Sequence, residues 1–288
     1  MNDFESILTG VSRTFGLSIP YLPDQLRDQV GTAYLLCRIA DTFEDEGTWD
    51  PITRVLLLRR FKRAVQSRGE RAALMDVLYE TGDQWGAGYN ELLEHTPQIL
   101  ERYDAFPVEA KTHIRAGLFF MINGMSRFIM WDRTVDSLDG LRKYCYAVAG
   151  VVGVMCTKLF IEADPQLTPE RVRLIALSAK YGEGLQLINI LRDQNVDEGE
   201  DRFLIPEDVS RKMLAAHAAH DMAAADEYLT LLELNGANSG VVAFNELNIR
   251  LGHATLEAIE RQGPGAKLNR QQVAEIASAT AFTTPSLN

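Results

Sequence analysis

The chain has few cysteines and none of the common glycine-rich nucleotide loops. Its 288 residues include three cysteines, Cys37, Cys145 and Cys156, an odd number without the spacing of a metal site. This excludes a disulfide framework and is typical of small apolar side chains in a reducing compartment. No G-x-S-x-G, P-loop or G-x-G-x-x-G sequence occurs, so the signatures of three large enzyme classes are missing.

Positive charge is also in deficit. The 29 Lys and Arg residues face 40 Asp and Glu residues, and the formal net charge is −11. This balance argues against a nucleic-acid partner. An acidic protein of this kind can bind a polyanion only with the help of metal ions and a few well-placed arginines.

Long apolar segments are absent as well. The N-terminus from Met1 lacks a signal-peptide stretch, and the longest uncharged run, Tyr144 to Thr157, is too short to span a bilayer. No hydrophobic anchor follows Ala281. We therefore expect a soluble, cytoplasmic protein without a transmembrane anchor.

The pattern that is present is helical. Apolar residues, 46% of the chain, recur with a period of 3.6, and alternating strand patterns are missing. No linker or low-complexity segment divides the sequence, which predicts one all-α domain over residues 1–288 with a frayed tail at 283–288. The helices are expected at 24–46, 51–68, 71–94, 97–105, 107–131, 137–163, 168–197, 217–236, 239–262 and 270–281.

An acidic motif ends the first of these helices. At 100° per residue, Tyr34, Arg38, Asp41 and Asp45 fall within about 60° of one another. A solvated surface face with an Arg–Asp pair is the ordinary interpretation of such a stripe in isolation. Here the rest of the helix is apolar nearly all round, which favours a polar stripe that faces an interior cavity.

A second acidic motif lies about 150 residues later. Asn189, Asp193 and Asp197 share one helix face, Gln186 lies at its border, and Gly182 is expected to leave space on it. Oxygen ligands without histidine or thiolate select a hard cation such as Mg²⁺. Two such faces opposed across a cavity would hold Mg²⁺, and Mg²⁺ would hold a diphosphate.

Two further segments have less specific signals. Ser12-Arg13-Thr14-Phe15 offers a guanidinium and hydroxyls to phosphate oxygens, although a helix cap with a surface arginine explains it equally well. Tyr144 begins an apolar stripe along one helix face that is either core or the wall of a hydrophobic slot. Its other members are Ala147, Val148, Val151 and Met155. Gly150 and Gly153, on the opposite side, would allow close helix packing.

Together these motifs resemble the squalene/phytoene synthase family, the head-to-head prenyl transferases. The resemblance runs in order from Ser12 to about Val209 and includes Tyr144-Cys145, the segment 148–153 and Arg202 to Pro206. It implies an isoprenoid-synthase helical bundle around a central cavity that binds two prenyl diphosphates, expected to be farnesyl diphosphate. The implied Mg²⁺ ligands are Asp41, Glu44, Asp45, Asn189, Asp193 and Asp197. The implied diphosphate contacts are Ser12, Arg13, Arg38, Gln186, Arg192 and Arg202, and the implied catalytic residues are Tyr34, Arg38 and Tyr144.

The form Asp-Thr-Phe-Glu-Asp is closer to squalene synthases, which implies condensation through presqualene diphosphate and then reduction by NADPH. The proton acceptor is expected to be a diphosphate oxygen, with Tyr144 or Tyr34 as alternatives acting with it. Asp201 is a departure from the family pattern, which usually has glycine immediately before the arginine that corresponds to Arg202. Phytoene or dehydrosqualene synthase activity, a class I terpene cyclase and a non-catalytic helical protein remain alternatives. Because the implied product is hydrophobic, we also expect peripheral membrane contact.

Overall fold

A computed structural model describes residues 7–8, 10–11, 14–45, 49–81, 87–200 and 202–283. Within these ranges the regular structure is helical, apart from one isolated parallel bridge between Thr134 and Phe203. The predicted all-α class is confirmed. Ser12, Arg13, Asp201 and the tail from 284 lie outside the described residues.

The helices follow one another with short connections, and three of them carry the site. The first motif ends α2, the second ends α10, and Tyr144 lies in α8. The order is α1 (Phe15–Ser18), α2 (Asp24–Asp45), α3 (Pro51–Gln66), α4 (Arg71–Thr81), α5 (Ala87–Glu94), α6 (Thr96–Asp104), α7 (Val108–Met130), α8 (Leu138–Cys145), α9 (Val151–Ala163), α10 (Arg171–Gly199), α11 (Arg211–Leu234), α12 (Ser239–Gln262) and α13 (Arg270–Thr283). Short 3₁₀ turns occupy Ile19–Tyr21, Arg68–Glu70 and Pro165–Glu170, and a π-helical turn, Tyr146–Gly150, joins α8 to α9.

Most predicted boundaries agree with the structure to within a few residues, and two differ more. The helix predicted at 71–94 is two helices in the structure, α4 and α5. The helix predicted to begin at 217 begins at Arg211, because the Ser210 hydroxyl accepts a hydrogen bond from Met213 N at 3.2 Å and caps an earlier turn.

Close backbone approach sets the distance between α10 and the α8–α9 helix. A Cβ atom on Gly182 would lie 2.4 Å from the Ala149 carbonyl oxygen, and one on Gly153 would lie 2.3 Å from the Ser178 carbonyl oxygen. The prediction of close packing at Gly153 is therefore confirmed. The expectation that Gly182 leaves space on the motif face was wrong, since that space is filled by the π-helical turn.

The α8–α9 helix is also the most apolar part of the described chain. Leu138–Ala163 is 26 residues long with a mean hydropathy of 1.7, enough by length and composition to cross a bilayer, and 61% of its apolar window is buried inside the protein. The helix is longer than the uncharged run within it because Leu138 to Lys143 continue the same helical path. Its burial is that of a core helix.

Candidate active site

The accessible face of α2 is the stripe that the sequence predicts. Every residue from Gln29 to Asp45 is buried except Tyr34, Arg38, Asp41 and Asp45. The helix is covered on its other sides because its flanking residues, among them Leu35, Leu36 and Phe43, belong to the core. Polar side chains thus reach solvent from a helix that is otherwise enclosed.

The first motif pairs its own charges. Arg38 Nη1 lies 2.8 Å from Asp41 Oδ2. Burial and, to a smaller extent, the neighbouring Asp45 raise the pKa of Asp41 to about 6, against the opposing effect of Arg38. Tyr34 donates its hydroxyl to the Val11 carbonyl at 3.2 Å. Arg38 is therefore engaged with the motif, and the Tyr34 hydroxyl with the N-terminal segment.

Glu44 lies apart from this stripe. It is 3% exposed, and its Oε1 accepts a hydrogen bond from the Tyr144 hydroxyl at 3.5 Å. Burial, together with the charges of Asp45 and Asp41, raises the pKa of Glu44 to about 8, and burial raises the pKa of Tyr144 well above its ordinary value. Tyr144 is consequently a neutral phenol at neutral pH, and a hydrogen-bond donor rather than a base.

The second motif lies where α10 emerges from the core. Between Tyr181 and Leu191 only Leu185, Gln186 and Asn189 are not fully buried. Arg192 pairs with the adjacent Asp193 through two contacts, at 2.8 Å and 2.5 Å.

Asp197 follows one turn after Asp193. Burial raises the pKa of Asp197 to about 6, and the charges of Asp193 and Asp45 contribute in the same direction.

One arginine joins the two motifs. The Arg202 guanidinium bonds Asp45 Oδ1 through Nη1, and its Nε lies 3.7 Å from Asp197 Oδ1. The Arg202 backbone N–H also donates to the Asp197 carbonyl at 2.8 Å. Carboxylates from helices about 150 residues apart in sequence therefore lie within reach of a single side chain.

The carboxylates and the Asn189 amide offer the oxygen donors that Mg²⁺ prefers. No group of three His, Cys, Asp or Glu side chains in the described ranges is arranged as a metal site. Asp41, Asp45, Asp193 and Asp197 instead face arginines. Burial is the main cause of the raised pKa values of Asp41 and Asp197, and neighbouring carboxylates add to it. The donor set fits Mg²⁺, which would have to displace arginine contacts to bind.

The apolar stripe after Tyr144 is core. Ala147, Val151 and Met155 are buried, whereas Val148, Val152 and Cys156, spaced four residues apart, keep partial exposure. Of the predicted stripe, Val148 alone therefore belongs to the partly exposed row that could form the wall of a slot.

Two buried arginines near the first motif, Arg54 and Arg133, were not predicted from the sequence. Arg54 Nη1 donates to the Glu44 carbonyl and Arg133 Nη1 to the Glu200 carbonyl, both at 3.1 Å. A signal for Arg54 exists, because it shares a helix face with Leu57, Leu58 and Phe61. None exists for Arg133, whose burial depends on the fold of the segment after α7.

Known proteins are similar to this chain in sequence. The family model described as squalene/phytoene synthase matches residues 8–215. "Squalene synthase BSS" of Botryococcus braunii is 34% identical over 194 residues, 67% of this chain and 40% of its own. "Squalene synthase 10" of Panax ginseng is 32% identical, with 68% and 43% covered. "Presqualene diphosphate synthase" of Botryococcus braunii is 29% identical, with 69% and 47% covered. The chain thus spans less than half the length of these relatives.

Solved structures have the same fold at lower identity. The ligand complex of TcSQS has a TM-score of 0.79 and 24% identity over 97% of this chain and 86% of that one. A dehydrosqualene synthase in complex with a ligand has a TM-score of 0.65 and 20% identity, covering 98% and 96%. The family match extends over both acidic motifs and over Arg202. The chain belongs to the squalene/phytoene synthase family.

Proposed function

We propose that the protein condenses two prenyl diphosphates head to head, with farnesyl diphosphate as substrate and squalene as product. The observation that carries this proposal is the meeting of the two acidic motifs at Arg202, with Tyr144 next to Glu44 in the same cluster. Two diphosphate groups need two clusters of negative ligands and positive partners close together. The arrangement supplies both, and the relatives named squalene synthase support the assignment.

Mg²⁺, when bound, would neutralise the departing diphosphate and make it a better leaving group. We propose Asp41 and Asp45 on one side, and Asn189, Asp193 and Asp197 on the other, as its ligands, directly or through water. Glu44, the remaining predicted ligand, is buried beside this face, and in this proposal it also holds Tyr144.

The arginines stabilise charge that develops as the bond breaks. Arg38, Arg192 and Arg202 now neutralise motif carboxylates, and a bound metal would free their guanidinium groups for diphosphate oxygens. Gln186 is proposed to donate to the same oxygens from the border of the α10 face. Ser12 and Arg13 stay predicted contacts outside the described residues.

The reaction then proceeds on carbon. The C–O bond of one substrate breaks, the electron pair leaves with the diphosphate, and the allylic cation is attacked by the double bond of the second chain. Loss of a proton closes the cyclopropane of presqualene diphosphate. A diphosphate oxygen is the proposed proton acceptor, since the raised pKa of Tyr144 makes its phenolate scarce.

The second half of the reaction decides the product. Squalene formation requires a second ionisation and a hydride, for which NADPH is the proposed donor. Without that hydride the chemistry stops at presqualene diphosphate or ends in dehydrosqualene, and a relative named presqualene diphosphate synthase favours the first of these as the second candidate. C20 substrates would give phytoene by the same route.

The decisive experiment is product analysis. Labelled farnesyl or geranylgeranyl diphosphate is incubated with the protein and Mg²⁺, with and without NADPH, and the products are separated by chromatography. We expect presqualene diphosphate without NADPH and squalene with it. A cyclic C15 hydrocarbon would instead indicate a terpene cyclase, and no Mg²⁺-dependent diphosphate release would indicate a non-catalytic protein.

We also propose a cytoplasmic location with peripheral membrane contact during product release. Met130, Trp131 and Phe203 are exposed, and the bridge of Phe203 to Thr134 holds the last two in one region. Amphipathic aromatic side chains favour the membrane interface. Co-sedimentation with phosphatidylcholine vesicles, lost in a Trp131→Ser variant, would test this contact.

A further inference from the structure

A pocket of about 440 Å³ lies beside the first acidic motif. Its lining is mainly charged, with Asp45, Arg54, Asp132, Arg133 and Glu200. Four parts of the chain meet there: the end of α2, the start of α3, the end of α7 with the segment after it, and Glu200 just after α10. The size is within the range of small-molecule sites, and the charged lining is unsuited to a prenyl chain.

Two arginines of this pocket are buried without full use of their hydrogen-bond donors. Arg54 is 5% and Arg133 6% exposed. One nitrogen of each caps a helix carbonyl. Arg54 Nε and Arg133 Nε and Nη2 have no hydrogen-bond partner in the described part of the chain. Buried donors without acceptors are costly, so a ligand with acceptor oxygens would stabilise this arrangement.

The backbone that presents Arg133 is strained. Asp132 and Arg133 have φ angles of 49° and 55°, a left-handed conformation that residues other than glycine seldom adopt. Such strain persists where the surrounding structure requires it, often at a binding site. Here it directs a buried guanidinium into the pocket.

We propose that this pocket binds a magnesium-bound diphosphate group, with its oxygens on Arg54 and Arg133. Guanidinium groups match phosphate oxygens in charge and geometry. The exposed carboxylates of Asp132 and Glu200 would repel a bare anion, but they would accept the accompanying cation. The inference rests on the proposed function only in the class of ligand. Asp45, the last carboxylate of the first motif, lines the pocket, whereas Tyr34, Arg38 and Asp41 do not, so the site adjoins their accessible face.

Helix capping is the competing explanation for both arginines. A lysine keeps one donor and the positive charge, so it can still cap the Glu44 or Glu200 carbonyl, but it loses the remaining donors. Arg54→Lys and Arg133→Lys therefore separate the two roles. Arg127→Lys, at an exposed arginine of α7 outside the pocket lining, is the matched control.

Binding of radiolabelled inorganic diphosphate is measured by equilibrium dialysis in Mg²⁺, in wild-type protein and in an Asp193→Asn background that impairs the second motif. We expect Arg54→Lys and Arg133→Lys each to weaken one class of sites about tenfold in both backgrounds, with unchanged thermal midpoints. Arg127→Lys should bind like its parent. If NADP⁺ displaces the radiolabelled diphosphate, the site binds the diphosphate of a dinucleotide. If it does not, the site binds inorganic diphosphate.

Unchanged affinity in the two folded lysine variants would overturn the proposal, as would a loss that disappears in the Asp193→Asn background. If a variant does not fold, wild-type crystals soaked in Mg²⁺ and diphosphate decide, because density must lie between Arg54 and Arg133. Arginine-dependent binding without prenyl turnover would refute the proposed function and leave this site standing. Prenyl turnover together with diphosphate binding that does not depend on Arg54 or Arg133 would support the proposed function and refute this site.

Discussion

The two acidic motifs have the same aspartate spacing but different surroundings. In α2 the accessible carboxylates project from the segment Gln29 to Asp45, which is otherwise buried. Burial raises the pKa of Asp41 there to about 6 and that of the enclosed Glu44 to about 8. In α10 the motif lies at an emerging helix end, and Asp197, with a pKa of about 6, is the carboxyl that shifts. Burial thus raises the pKa of two carboxyls in the first motif and of one in the second.

The arginines differ in the same way. Arg38 and Arg192 each neutralise a carboxylate of their own helix, three residues and one residue away. Arg202 lies beyond α10 and reaches both motifs. Local pairing is therefore duplicated, whereas the connection between the motifs depends on one side chain. Substitutions in the two motifs test this difference between local pairing and the shared arginine. The largest effect on turnover is expected at the aspartates.

Neutralising one aspartate of either motif should stop turnover. Asp45→Asn and Asp193→Asn are each expected to reduce diphosphate release from farnesyl diphosphate more than about a hundredfold, since each removes a proposed metal ligand. Release is measured in saturating Mg²⁺ with circular dichroism as the check on folding. Asp139→Asn, at an exposed aspartate paired with Lys143, is the control. Near-wild-type rates in either motif variant would contradict a two-motif metal site.

Removing the shared arginine should destabilise the fold more than removing a local one. Arg202→Met leaves Asp45 and Asp197 without their common partner, and we expect the free energy of unfolding to fall by about 2 kcal/mol. Arg192→Met breaks only a partly exposed pair of neighbours and should cost about 0.5 kcal/mol. Urea unfolding without metal measures both. Equal losses in the two variants would show that Arg202 is not a special link.

The two tyrosines should differ because their hydroxyls have different partners. Tyr144→Phe removes the donor to Glu44, and formation of presqualene diphosphate is expected to slow about tenfold. Tyr34→Phe removes a bond to the Val11 carbonyl and should have a smaller effect. Rapid-quench measurement of the first half-reaction compares them. An unchanged rate in Tyr144→Phe would remove that residue from the mechanism.

The pH dependence of stability should separate the motifs. A carboxyl whose pKa is raised on folding stays protonated in the native state after the unfolded chain has ionised, so its contribution falls as pH rises. The loss of stability due to Glu44 continues to about pH 8, whereas the losses due to Asp41 and Asp197 are complete at about pH 6.

Because Asp45 raises the pKa of both Asp41 and Glu44, Asp45→Asn should flatten the profile up to about pH 8. Asp193→Asn should flatten it only at about pH 6, since Asp193 contributes to the raised pKa of Asp197. Metal-free urea titrations from about pH 4 to about pH 9 test this. Identical profiles for the two variants would contradict the different crowding of the two motifs.

Much of this arrangement could be predicted from local pattern. The stripe of Tyr34, Arg38, Asp41 and Asp45 followed from helical periodicity, because a helix that is apolar on every other side can expose only its polar row. The separation of Glu44 from that row and its contact with Tyr144 could not, since a neighbour 100 residues away has no signature in the local sequence. The same holds for Gly182, where the local pattern indicated open space and a neighbouring helix fills it.

The amino-acid sequence by itself determined the helical class, the faces of the two acidic helices and the family, because these depend on periodicity and residue type within short windows. Only the tertiary structure decided that Arg202 connects Asp45 to Asp197, that Tyr144 meets Glu44, and that Arg54 and Arg133 are buried in one pocket. These features depend on which helix ends meet in space. Burial and charge at such a meeting point are the summed effect of distant segments, and no single stretch of the chain encodes them.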